Sequence, residues 1–205
     1  MKTDWYCKIF PSLPPPPRWL TEKYCVSQRP DSNQFQSNDG PYVGLKKRED
    51  WKQQSYDWIQ PMASNNNVRR HFDPVCLDWI RQNIVSDFTD KNSGVMFFDQ
   101  PQLPHTDSTR DFVLLYNVET GGEETELCFW QENGFPLFRD RMTTAARGEN
   151  LKKILTLNGP SDKWYLMNTL VLHSVQNMTG LRINLQISFD KNVPASLLKI
   201  QSKED

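Results

Sequence analysis

The pattern of apolar and polar positions changes character twice along the chain. Residues 1–70 are polar and rich in Pro, Gln and Asn, with aromatic residues standing singly. The run from Pro14 to Pro17 forbids helix and favours an extended segment. It predicts a rigid turn packed on the body, the other reading being a ligand for a proline-reading module. "REDWKQQSYDWIQ" (48–60) predicts a short helix anchored by Trp51, Tyr56 and Trp58, and "MASNNNVRR" an exposed loop or flap. Helical spacing then sets in with "DPVCLDWIRQNIVSDF". Asp73 suits an N-cap, Pro74 the first helical position, and Val75, Cys76, Trp79, Ile80 and Ile84 form one apolar face. Such a helix covers a sheet.

From residue 94 the period shortens. "GVMFFD", "DFVLLYNV", "TELCFW", "KKILTL", "KWYLMN", "LVLHSV" and "LRINLQISF" are short apolar or alternating runs, divided by turn chemistry such as "TGGE", "NGPSD" and "NMTG". Seven or eight strands within roughly 95 residues predict a β-sandwich or barrel rather than a βαβ sheet. A short helix is expected in "KNVPASLLKIQSKED". The expected organisation is an N-terminal extension, residues 1–70, packed on the body and a possible lid, followed by a β core over 71–205. The fold class expected is mainly β with N-terminal helices (α+β).

Composition adds limits. A chain of 205 residues suits one domain with a real core, and 12% aromatic content argues for folded structure although only 37% of residues are hydrophobic. A net charge of −1 gives no general pull towards nucleic acid or an anionic membrane, so a nucleic-acid partner is disfavoured. Cys7, Cys25, Cys76 and Cys128 form no C-x-x-C pair and read as reduced thiols. The opening "MKTDWYCKIFPSLPPPP" shows no apolar signal region and no run approaches the length of a membrane span. A soluble, cytoplasmic protein is expected, in which the "NMT" at Asn177 needs no glycan; oligomeric state is not legible.

Candidate chemistry concentrates in "LPHTDSTRDF", since the chain has only three histidines. In extended backbone, side chains at i and i+2 share a side, so His105 and Asp107 can offer a nitrogen and a carboxylate oxygen to one point. The well-placed third ligand is His173, near the end of a later apolar strand. Two histidines and one carboxylate suit non-haem Fe(II) with coordination positions left open. Arg182, nine residues on, falls in an apolar strand, where burying it without an anion would be costly. A dicarboxylate reaching in from the metal would pair with it in bidentate fashion.

"HTD" followed by "HSVQNMTGLR" resembles the H-x-D…H…R signature of Fe(II)- and 2-oxoglutarate-dependent dioxygenases. "FVLLYNVETGGEETELCFW" is similar to the strand, Gly-Gly turn and strand of their prolyl-hydroxylase-like branch. The resemblance spans roughly residues 94–189 and implies a double-stranded β-helix, the jelly-roll barrel also found in cupins. It implies that His105, Asp107 and His173 bind Fe(II), and that Arg182 binds the distal carboxylate of 2-oxoglutarate. Tyr116 would share that carboxylate or be plain core; Asn184, at i+2 from Arg182, would assist or be a polar strand residue. The implied reaction consumes O2 and 2-oxoglutarate, releases succinate and CO2, and hydroxylates or demethylates an amino acid, a peptide or protein side chain, or a small metabolite. Asp107 stands where related halogenases leave room for halide. Arg110 is the candidate for a substrate carboxylate, unless it is a surface partner of Asp111 or Glu119. Trp130, Arg139 and Arg141 are candidates for the entrance, with Trp130 alternatively core. His71 reads as a loop histidine. The competing readings are a non-catalytic cupin-like module that binds a metal or ligand, and a Zn(II) hydrolase using the same ligands.

Overall fold

The computed structural model describes residues 6–35, 67–107, 109–132, 151–158 and 162–201. The helix expected at 48–60 and the candidates Arg139 and Arg141 lie outside them.

Among the described residues, ten strands form two antiparallel sheets. They are β1 (Cys7–Phe10), β2 (Asn67–His71), β3 (Thr89–Phe98), β4 (Gln102–His105), β5 (Phe112–Thr120), β6 (Glu126–Glu132), β7 (Leu151–Asn158), β8 (Trp164–Asn168), β9 (His173–Gln176) and β10 (Arg182–Phe189). The larger sheet runs β1-β8-β5-β10-β3-β2 and the smaller β4-β9-β6-β7. All seven apolar runs became strands. Three strands were not anticipated: β1, β2 and β4. The segment read as a loop or flap contributes β2, which pairs along its whole length with β3, from Asn67↔Phe98 to His71↔Gly94. His71 is therefore a strand residue at the sheet edge.

The larger sheet is covered on both faces. In β10, Ile183, Leu185, Ile187 and Phe189 face outwards into a cluster with Leu114, Leu166, Phe97 and the helices. Each fully buried aliphatic or Phe side chain there contributes on the order of 1.5–3 kcal/mol. The intervening Arg182, Asn184, Gln186 and Ser188 face the other sheet, and all eight residues of the strand are buried. A second cluster joins the sheets, with Met96, Phe98, Val113 and Leu115 meeting Leu127, Phe129 and Val175.

Helical cover is slight. Among the described residues it consists of α1 (Arg18–Thr21), which runs into a π-turn at Glu22–Val26, a 3-10 turn at Ser32–Phe35, then α2 (Pro74–Asn83) and α3 (Ala195–Gln201). The start signals read for α2 hold: Asp73 Oδ1 accepts from the Cys76 N–H at 3.0 Å, and Pro74 opens the helix. Val75, read as part of the apolar face, is instead exposed to solvent. Cys76 and Ile80 are its buried face.

The division expected at residue 70 falls inside β2. Residues before it belong to the same core: β1 pairs with β8 from Cys7↔Met167 to Phe10↔Trp164, and Phe10, Leu20 and Tyr24 join the outer cluster. The proline run is extended at Pro17, and the Trp164 indole N–H donates to the Pro14 carbonyl at 2.8 Å. No described helix is long and apolar enough to cross a membrane.

Candidate metal centre

His105 closes β4 and His173 opens β9, rather than lying near the end of its strand. The two residues are register partners across the β4·β9 pair. Their rings therefore meet, with centroids 4.3 Å apart. Two residues past β4, the Asp107 N–H donates to the Thr169 carbonyl at 3.0 Å, which turns the carboxylate back towards the histidines. Asp107 Oδ1 lies 3.5 Å from His105 Nε2 and 3.8 Å from His173 Nε2. The three donor atoms fall within 4.8 Å of one another, and this group can hold a metal ion.

The surrounding bonds fix each donor. His173 Nδ1 lies 2.8 Å from the Val171 carbonyl. A carbonyl only accepts, so Nδ1 carries the proton and Nε2 presents its lone pair. Burial, and then the neighbouring His105, push the His173 pKa down to about 3, so the ring is neutral near pH 7. Burial alone would raise the Asp107 pKa. The Arg110 guanidinium and the two imidazoles outweigh it and hold the carboxyl well below the usual range. Arg110 Nε donates to Asp107 Oδ2 at 2.6 Å, while its Nη1 donates to Gln186 Oε1 at 2.7 Å and Ser188 Oγ at 3.1 Å. The Arg110 side chain is only 10% exposed. It is not a surface residue, and Glu119 is taken by Arg29 at 3.0 Å.

The three candidate ligands sit on a cavity of about 340 Å³ between the sheets. Arg182 lines it too, and β9 and β10 do lie in opposed sheets. Arg182 Nη2 donates to Tyr165 Oη at 3.1 Å and reaches Asn117 Oδ1 at 3.4 Å, and its guanidinium lies 5.6 Å from the centre of the Phe98 ring. No carboxylate among the described residues pairs with this buried cation. Asn184 faces the same interior, accepts from Gln186 Nε2 through Oδ1 at 2.8 Å, and leaves Nδ2 buried with no partner among the described residues.

Two sequence candidates lie elsewhere. Tyr116 is on the opposite face of β5, packed on Trp164 with ring centroids 5.3 Å apart in the outer cluster. The phenol beside Arg182 is instead Tyr165, whose burial raises its pKa and keeps it protonated; it donates to Asn117 Oδ1 at 3.2 Å. Trp130 is buried and does not line the cavity; its indole N–H donates to Ser174 Oγ at 2.9 Å. The cavity also holds Arg69, Asn67 and Gln186, which sequence reasoning did not select. Gln186 continues the i+2 series from Arg182 and could have been found that way. Arg69 was hidden when β2 was read as loop.

No family model matches the chain, and no curated protein matches it.

Proposed function

We propose that the chain is an Fe(II)- and 2-oxoglutarate-dependent oxygenase, hydroxylating an amino acid, a peptide or protein side chain, or a related small metabolite. One observation carries the reading. The two-histidine, one-carboxylate group and an uncompensated buried arginine line the same cavity.

Strand order supports a double-stranded β-helix. From β3 to β10 the chain visits larger, smaller, larger, smaller, smaller, larger, smaller and larger sheet, giving inner orders β8-β5-β10-β3 and β4-β9-β6-β7. The donor set suits a divalent ion that keeps open positions. The unpaired edge of Arg182 and the orphan Asn184 Nδ2 suit an anionic co-substrate, because each is costly to bury unsatisfied.

His105, Asp107 and His173 would hold Fe(II), which when bound supplies O2 activation coupled to oxidative decarboxylation of 2-oxoglutarate to succinate and CO2. Every other role falls to side chains. Val171 fixes the His173 tautomer. Arg110 occupies Asp107 Oδ2 and so leaves Oδ1 for the ion. Arg182 binds the distal carboxylate, steadied by the Tyr165 hydroxyl. Phe98, Leu115 and Leu127 keep the cavity wall apolar, limiting water at the reacting centre.

The test is anaerobic addition of 2-oxoglutarate to the Fe(II)-loaded chain, followed by succinate assay in air. A weak visible charge-transfer band and succinate release lost in His105→Ala and Asp107→Ala are expected. Absence of both band and succinate, with metal bound, would favour a cupin-like binding module.

A further inference from the structure

One cation of the cavity remains without a role. Arg69 stands in β2, opposite Met96 of β3, on the face that turns towards the smaller sheet. Its Nε donates to Met96 Sδ at 3.0 Å. A thioether is a weak acceptor, and the bond fixes the guanidinium plane while leaving both terminal nitrogens without a partner among the described residues. The side chain is half-buried, and no carboxylate among the described residues forms an ion pair with it. Burial and the nearby Arg110 lower its pKa while Asp107 opposes them, which sets Arg69 within electrostatic reach of the metal carboxylate.

Charge balance isolates the residue further. The charged lining groups are three arginines, Arg69, Arg110 and Arg182, against one carboxylate, Asp107. A divalent ion and a dicarboxylate add no net charge, so the positive excess of the lining persists. With Arg110 on Asp107 and Arg182 on the distal carboxylate, the ion is only part-neutralised and Arg69 is the one side-chain cation of the lining with no anion assigned to it. It is not a second hand on the same co-substrate group. Arg182 pairs with Phe98 and Arg69 with Met96, and β2 is two strands from β10, a lateral offset of about 10 Å.

We infer that Arg69, with Asn67 beside it on the same face of β2, binds a carboxylate carried by the primary substrate, and so selects acidic substrates for the metal centre. This rests on the oxygenase reading for the word substrate, but the anion site itself does not. A guanidinium offering its two terminal nitrogens matches a planar carboxylate in bidentate fashion. Among the described strands β2 is also the edge of its sheet, which leaves Arg69 open to a ligand entering between the sheets.

The experiment titrates N-acetylglycine, its neutral amide and inorganic phosphate into the full chain by calorimetry. It is run metal-free and again with Zn(II) and 2-oxoglutarate present. N-acetylglycine should bind roughly tenfold or more tighter than the amide, and a similar factor should be lost in Arg69→Gln. Arg69→Lys, which keeps the charge without the fork, should lie between, and near-ultraviolet circular dichroism verifies that both variants fold. Arg69→Gln should weaken N-acetylglycine more than 2-oxoglutarate, and Arg182→Gln the reverse. Equal affinity in Arg69→Gln, competition between N-acetylglycine and 2-oxoglutarate for one site, or tighter binding of phosphate would overturn the assignment. A chain giving no charge-transfer band with Fe(II) and 2-oxoglutarate fails the oxygenase reading instead, and the metal-free titration still reports on Arg69.

Discussion

Asp107 is shared between two masters. Oδ1 faces the imidazoles and Oδ2 takes the Arg110 guanidinium at 2.6 Å. Arg110→Gln removes the cation that holds the carboxylate deprotonated and turned. Metal affinity should fall by roughly 10–100-fold, measured by competition with a coloured chelator; unchanged affinity would make Arg110 a packing residue only. The pKa shifts fix a pH response for the metal-free chain. His173 has a folded pKa of about 3, against roughly 6.5 unfolded, so the unfolded chain takes up a proton that the folded chain refuses. Its contribution is whole above about pH 6.5 and is lost as pH falls towards 3. Asp107, also held low, adds a loss that begins only below about pH 4. Urea unfolding of the metal-free protein should show about 2 kcal/mol less stability at pH 5 than at pH 7 from His173 alone. The difference should shrink in His173→Asn.

At the scale of elements, two glycines place functional side chains by what they lack. A Cβ on Gly94 would come 2.4 Å from the Arg70 carbonyl, so Gly94→Ala must part β2 from β3 just beside Arg69. The expected cost is about 1–3 kcal/mol, read as a lower unfolding midpoint, with N-acetylglycine binding weakened in parallel. Gly121, at φ +91°, turns β5 into β6 and accepts the Thr179 and Gly180 N–H groups at 2.8 Å through its carbonyl. A Cβ there would lie 3.1 Å from Arg182 Cβ. The "TGGE" turn thus sets the base of the cavity arginine as well as reversing the chain.

These elements also mark what alternation could reveal. β10 reads as an amphipathic strand, and its polar side is real, but that side faces a cavity rather than solvent. The apolar runs were legible because their outer faces bury Val, Leu, Ile and Phe at a strict period of two. β4 was not, because "QLPH" is four residues long and contains a proline. β2 was not, because Asn67, Arg69 and His71 fill the positions where an apolar face would have announced a strand. The candidate metal ligands needed only their residue types and spacing. The partners of Arg182 needed the register, including the shift between Ile183 and Asn184, and that shift has no local signature. The resemblance pointed to Tyr116, and nothing local in the sequence marks Tyr165 as the phenol beside Arg182.

For the whole molecule, the described N-terminal residues are structural. Phe10 is fully buried and pairs with Trp164, itself fully buried. Phe10→Ala should cost about 3–5 kcal/mol in unfolding experiments, which a detachable lid would not. The four cysteines are unpaired, and burial raises the pKa of Cys7, Cys25 and Cys76 to about 12. These three thiols should therefore resist alkylation at pH 8 until the chain unfolds. The net charge of −1 hides an uneven distribution, since the cavity lining carries more positive than negative side chains.

The pairing of His105 with His173 has a mechanical consequence. Among the described residues β4 is an edge strand of four residues, bonded on one side only, and its register with β9 is already irregular between Gln102 and His105. An ion gripping both imidazoles would act as a rivet through the weakest seam of the smaller sheet. Amide exchange should report it strand by strand: β4 fast and β6 slow in the stripped chain, and β4 slowed selectively once the rivet is in.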